Sequence, residues 1–187
     1  MHKANGAKQD GGAQQGFALW FTGLPASGKT TLAHALAQGL AVRGVHTQLL
    51  DSDELRKILT PHPNYSAEER DWFYATIVYL AQLLTANGVN VLLAATASRR
   101  AYREQARVAI PRLVEVYVRC SLERAMARDQ KGIYAAAQQG AASTVPGLQV
   151  PYETPQQPDL SVDTETEASA QSVARILTYL QEQKFID

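Results

Sequence analysis

The chain has 187 residues, 45% hydrophobic and 19% charged, which suits one ordinary folded domain and excludes general disorder. Lys+Arg and Asp+Glu both number 18, a balance that argues against a protein built to coat nucleic acid or an anionic membrane. The single cysteine, Cys120, cannot close an internal disulfide, so a cytoplasmic location is expected; it ends an apolar run (Val114, Val116, Val118) and reads as inert rather than nucleophilic.

Residues 1–15 contain no apolar block of signal-peptide length and read as a flexible tail, leaving 16–187 as one domain. From Phe17 onward, short β-rich runs alternate with helical stretches, the pattern of an α/β parallel sheet with helices on both faces. Phe17 to Phe21 reads as the first strand, and Lys29 to Val42 as a helix stopped by Gly44. Val45 to Leu50 is a second strand ending at Asp51, and Glu54 to Leu59 a short helix cut off by Pro61 and Pro63. The longest helix should run from Ala67 to Asn87, opened by a capping box of Ser66 and Glu69, with Phe73, Ile77, Leu80 and Leu84 on one face.

Val89 to Ala95 follows as an interior strand, too short even with its flanks to span a bilayer. A helix from Arg99 to Ala109 ends before Pro111, Leu113 to Arg119 is a fourth strand, and Ser121 caps a helix to about Asp129. Residues 130–158 turn to Gly, Gln, Thr and four prolines, which predicts a mobile segment with one short helix near Tyr134. Leu160 to Val162 is a short fifth strand, and Ala168 to Gln183 a closing helix.

The chemistry starts at Gly23-Leu24-Pro25-Ala26-Ser27-Gly28-Lys29-Thr30, a complete G-x-x-x-x-G-K-[ST] followed by Thr31. Polyphosphate is a dense anion, and a row of backbone N–H groups at a helix N-terminus suits it. Lys29 adds a cation for the β- and γ-phosphates, and the Thr30 hydroxyl can ligate Mg²⁺. The motif lies between an apolar strand and a strong helix, the context its mechanism requires. It fixes nucleotide binding but not the reaction.

The guanine-reading N-K-x-D of a GTPase is absent, and the third strand ends Ala94-Ala95-Thr96 without the carboxylate of a typical ATPase. The acids sit instead after the second strand, at Asp51 and Asp53, with Arg56 three residues on in the first helical turn. One carboxylate can orient Mg²⁺ while the other accepts the proton of an acceptor hydroxyl, and spacing leaves open which does which. Arg70 and Lys131 are further candidates, the latter in a lid-like stretch of about 128–158 that would keep water from the phosphoryl group.

Over Ala18 to Leu160 the chain resembles the adenylylsulfate (APS) kinase family. The resemblance rests on the P-loop, on Asp51, Asp53 and Arg56, on Tyr65-Ser66 leading to Arg70, on Arg128-Asp129-Gln130-Lys131-Gly132-Ile133-Tyr134, and on Pro151-Tyr152-Glu153-Thr154-Pro155. It implies transfer of phosphoryl from Mg·ATP to the 3′-hydroxyl of APS in sulfate assimilation, and a homodimer. It also implies that Arg128 serves ATP, and that Asp53, Arg56, Tyr65, Arg70, Lys131, Gly132, Ile133 and Val145 serve the acceptor, with Tyr65 stacking on adenine.

Departures cluster on the acceptor side: Ser52 replaces a glycine, Phe73 and Ala75 an asparagine and an arginine, and Val145 a phenylalanine. Ala97-Ser98-Arg99-Arg100 stands where the family has Ser-Pro-Phe-Arg. Two other readings therefore stand beside it, a related kinase with a different small or nucleotide-conjugate acceptor and a non-catalytic ATP-binding protein.

Overall fold

The computed structural model describes residues 15–187; of the expected N-terminal tail, residues 1–14 lie outside them. Five strands, β1 (Ala18–Thr22), β2 (Thr47–Asp51), β3 (Asn90–Ala94), β4 (Leu113–Arg119) and β5 (Leu160–Asp163), form one sheet in the order β2-β3-β1-β4-β5. Every pairing is parallel. Such a sheet needs crossover helices on its faces, and its inner strands become apolar on both sides. β1 shows the consequence. Phe17, Leu19 and Phe21 face one core with Leu32, Leu36 and Leu40 of α1 (Lys29–Ala41) and Ile176 and Leu180 of α7 (Ser169–Glu182). Ala18 and Trp20 face the other, against α3 (Ala67–Ala86) and α4 (Arg100–Ala109).

Phe21 and Asp51 both pair with Ala94, so β1, β3 and β2 end level at one sheet edge. There the P-loop leaves β1 and the acid pair leaves β2. From β1 the chain crosses to β2 on one side of the sheet, whereas from β4 it crosses to β5 on the other, and the carboxyl end of the strands at such a reversal is where ligands sit in open α/β sheets.

Most expected boundaries lie within a residue or two of the observed ones, and each shift has a cause. β2 begins at Thr47 because Val45 donates its N–H to Leu40 O, closing the turn at the end of α1. α2 (Ser52–Leu59) begins two residues earlier than expected, since the Asp51 carboxylate caps it by accepting from Asp53 N at 2.8 Å; Arg56 consequently lies beyond the first turn. Ser66 caps α3 by accepting from Glu69 N, but the reciprocal half of the expected capping box is absent. Glu69 accepts from Asn64 N and Arg56 instead, and Ser66 N donates to Asn64. The buried stripe of α3 is Phe73, Tyr74, Ile77, Val78, Ala81 and Thr85, with Leu80 and Leu84 half-buried beside it.

A third, smaller core joins α5 (Leu122–Ala127) and α6 (Ile133–Gln138) to the following loop through Ala125, Tyr134, Ala137 and Val145. Behind β3, buried Arg103 donates to Glu115 of β4 at 2.7 Å, to Ala97 O, and to Glu153 O at 2.6 Å. One side chain thus fixes the turn after β3 and the Pro151–Pro155 segment together. The Tyr152 hydroxyl, 3.0 Å from that of Thr22, secures the same segment to the end of β1.

Candidate active site

The P-loop backbone is shaped by its glycines. Gly23 has a Val118 carbonyl oxygen 2.5 Å from where a Cβ would sit, and Gly28 caps α1 in the left-handed region at φ 97°. Ala26 adopts φ 58° between them. Lys29, nearly buried, donates to Leu24 O at 2.7 Å and Gly23 O at 3.2 Å, so its ammonium already lies inside the curl of the loop. Burial lowers its pKa to about 8, against a smaller opposing pull from Asp53 and Asp51. The Thr30 hydroxyl donates to Asp51 Oδ2 at 2.6 Å, which joins the first turn of α1 to the end of β2 in an all-oxygen pair.

One cavity of about 970 Å³ extends from this cradle to the acid pair and α3. It is lined by Pro25, Ala26, Gly28, Lys29, Thr30 and Thr31 from the P-loop, by Asp53 and Arg56 of α2, and by Tyr65 and Arg70. Arg128, Lys131, Gly132, Ile133 and Val145 complete the opposite wall. Four expected residues are placed differently. Gly23 shapes the loop from behind, and Leu24 turns away against Gly147. Ser27 is fully buried, its N–H spent on Leu24 O and its Oγ without a partner among the described residues. Asp51 reaches the cavity only through Thr30 and the cap of α2.

The end of the cavity at α2 and α3 is held in place by its own contacts. The Arg56 guanidinium lies 3.8 Å from the centroid of the buried Phe73 ring and 5.0 Å from that of Tyr65, and pairs with Glu69 at 3.1 Å. Phe73 is therefore the floor beneath a cation. Arg70 donates through Nε to Tyr65 O and through Nη2 to the carbonyl and hydroxyl of Thr144, spanning the cleft to the residue before Val145. Lys131 crosses it as well, in an ion pair with Asp53 that raises the lysine pKa. Both partners are largely exposed, and such pairs are worth about 0–1 kcal/mol, so the contact is easily exchanged. Arg128 is anchored by Thr164, which donates in turn to Ser27 O.

Sequence reasoning missed Tyr74, Thr96, Thr144, Thr164 and Ser169 in the wall. No motif contains them; the one available signal was a tyrosine inside the apolar stripe of α3.

A family model described as adenylylsulphate kinase matches residues 15–163. The chain is 37% identical over 174 residues to the adenylyl-sulfate kinase of Halothermothrix orenii, covering 93% of this chain and 94% of that protein. It is 39% identical over 171 residues to a "Probable bifunctional SAT/APS kinase 2" of Sorangium cellulosum; that match covers 91% of this chain but spans only 29% of the longer protein. Among solved structures, the APS kinase of Mycobacterium tuberculosis in complex with AMPPNP and APS superposes with a TM-score of 0.84 at 29% identity, covering 89% of this chain and 98% of that one. A phosphate cradle, an acid-bearing turn and two arginines around one cleft, in a sequence matched along most of its length, leave one assignment: the chain belongs to the adenylylsulphate kinase family.

Proposed function

We propose that this chain is an adenylyl-sulfate kinase, which moves the γ-phosphoryl group of ATP to the 3′-hydroxyl of APS and releases PAPS and ADP. The observation that carries the reading is the continuous cavity joining the P-loop to Asp53, Arg56 and Arg70 in a member of this family. Backbone N–H groups at the start of α1 hold the phosphates, and Lys29 exchanges the carbonyls of Gly23 and Leu24 for β- and γ-phosphate oxygens. Asp53 accepts the hydroxyl proton as that oxygen bonds to the γ-phosphorus and the bond to the β–γ bridging oxygen breaks. Lys131 leaves Asp53 for the transferring phosphoryl group, freeing the carboxylate when the donor is in place.

The Thr30 hydroxyl and the Asp51 carboxylate make a hard oxygen set that fits Mg²⁺. When bound, the ion supplies charge neutralisation at the β- and γ-phosphates. Arg56 and Arg70 bind the phosphosulfate, and Tyr65, 40% exposed at the cavity rim, offers its ring to the adenine. Residues 16–187 act as one domain, with about 128–158 as a lid over the cleft. The enzyme acts in the cytoplasm as a homodimer, the state that analytical ultracentrifugation would read. Retention of Lys29, Thr30, Asp51 and Asp53 in one site disfavours a non-catalytic binder.

The test is a coupled ADP-release assay with ATP and a panel of hydroxyl acceptors. APS should support turnover and yield PAPS. Release driven by another acceptor and not by APS would refute the assignment.

A further inference from the structure

The acceptor end of the cavity holds many polar groups, yet much of their hydrogen-bonding capacity is spent within the protein. Arg56 Nη1 is engaged by Glu69 and, at 3.4 Å, by Thr60, while its guanidinium face rests on Phe73. Arg70 uses Nε and Nη2 on Tyr65 and Thr144. Phe73 contributes no polar atom. The next residue round the helix does. Tyr74 is only 4% exposed, and it lines the same cavity.

The Tyr74 hydroxyl is fixed by one hydrogen bond and by the stacking of its ring. Its oxygen accepts the N–H of Ala97 at 2.9 Å. Ala97 is itself held, at φ 45° and with its carbonyl taken by Arg103. The Tyr74 ring stacks on Tyr102 at 4.3 Å and 21°, and Tyr102 is tied through its hydroxyl to Asp71 at 2.6 Å. With the Ala97 bond made, the Tyr74 proton remains to be placed, and no described residue accepts it. Burial raises the phenol pKa, so the group stays a donor throughout the working pH range. The charges that act on it are the cations Arg56 and Arg70 and the anion Asp53, so the local field favours an incoming anion. A buried donor left unmatched is costly, whereas one aimed at a charged acceptor makes one of the stronger hydrogen bonds proteins form.

We infer that Tyr74 is a specificity-determining residue, whose hydroxyl donates to an anionic oxygen of the acceptor's phosphosulfate held between Arg56 and Arg70. The inference rests on the APS reading above. It assigns to position 74 the neutral donor that position 73 lacks, and it gives Phe73 a separate task beneath Arg56.

The test is saturation kinetics on the parent and on Tyr74→Phe, which keeps the ring and its stack on Tyr102. The KM for APS should rise about tenfold or more, as expected on losing a hydrogen bond to a charged group, with the KM for ATP unchanged; the melting temperature should fall modestly, because the buried Ala97 N–H loses its acceptor. Inhibition by adenosine, which lacks the anion, should be the same for both proteins. Four results would overturn the inference: an unchanged KM for APS; equal shifts in the KM values of ATP and APS; a lowered melting temperature without a selective effect on APS, which would make Tyr74 only a support for Ala97; or an equal loss of adenosine inhibition, which would put the hydroxyl at the base. The APS reading fails separately, if the parent makes no PAPS.

Discussion

Lys29 and Asp53 share one cavity wall but answer to different physics. The lysine pKa of about 8 comes mainly from burial, well below the ordinary value of 10.5. Because the folded-state value lies below the unfolded one, stability of the nucleotide-free protein should rise between about pH 8 and 10.5, as the buried ammonium gives up its proton. Bound phosphates favour the ammonium, so nucleotide binding above pH 8 should take up a proton and weaken as pH rises. Calorimetric titration in buffers of different ionisation enthalpy measures this uptake, and Lys29→Met should abolish it. Asp53 is tested by Asp53→Asn, which keeps the shape and cannot accept a proton. Turnover should drop by roughly 10²–10⁴-fold with nucleotide affinity little changed. Collapse of nucleotide binding with surviving chemistry would transfer the proton-accepting role to Asp51.

Among the elements, the α5–α6 segment shows how local packing limits what one position can do. Read along the chain, Val145 is a weak substitute for an aromatic face against adenine. In the fold it is 6% exposed and packed with Ala125, Tyr134 and Ala137, while Gln149 Oε1 accepts its N–H. A phenylalanine there must displace those neighbours before it can present a ring to the cavity. Overpacking a small core costs typically about 1–3 kcal/mol. Val145→Phe should therefore lower the urea midpoint, and any gain in APS affinity should come with that loss. An unchanged midpoint would mean that the cluster yields freely.

At the scale of the whole molecule, two side-chain contacts span the cleft. Lys131–Asp53 and Arg70–Thr144 both bridge it, and the ion pair is solvent-exposed. A ligand bound between the walls adds its own binding energy to the folded state. A non-hydrolysable ATP analogue at a hundredfold excess over its Kd should contribute about 2.7 kcal/mol. For a chain of this length that raises Tm by about 5–10 °C, readable by differential scanning calorimetry. Lys29→Met should lose most of the shift, since the cradle then lacks its buried cation.

The sequence by itself determined the sheet, its helices, the P-loop and the family, because each depends on short-range regularities. Short apolar runs, a helical stripe and an eight-residue phosphate motif are written into consecutive positions, and β4 falls where its apolar run places it. Tertiary structure alone decided the roles of Glu69, Phe73, Tyr74, Val145 and Arg103. Glu69 fits a capping box locally but is drawn off by Arg56, thirteen residues away. Arg103 looks like a surface helix residue until β4 and the 151–155 segment bury it with Glu115. Tyr74 reads as one more apolar contact on α3 until Ala97, 23 residues on, fixes its hydroxyl at the cavity. Periodicity says which way a side chain faces; its partner is set by which distant segments the sheet order brings to the same edge.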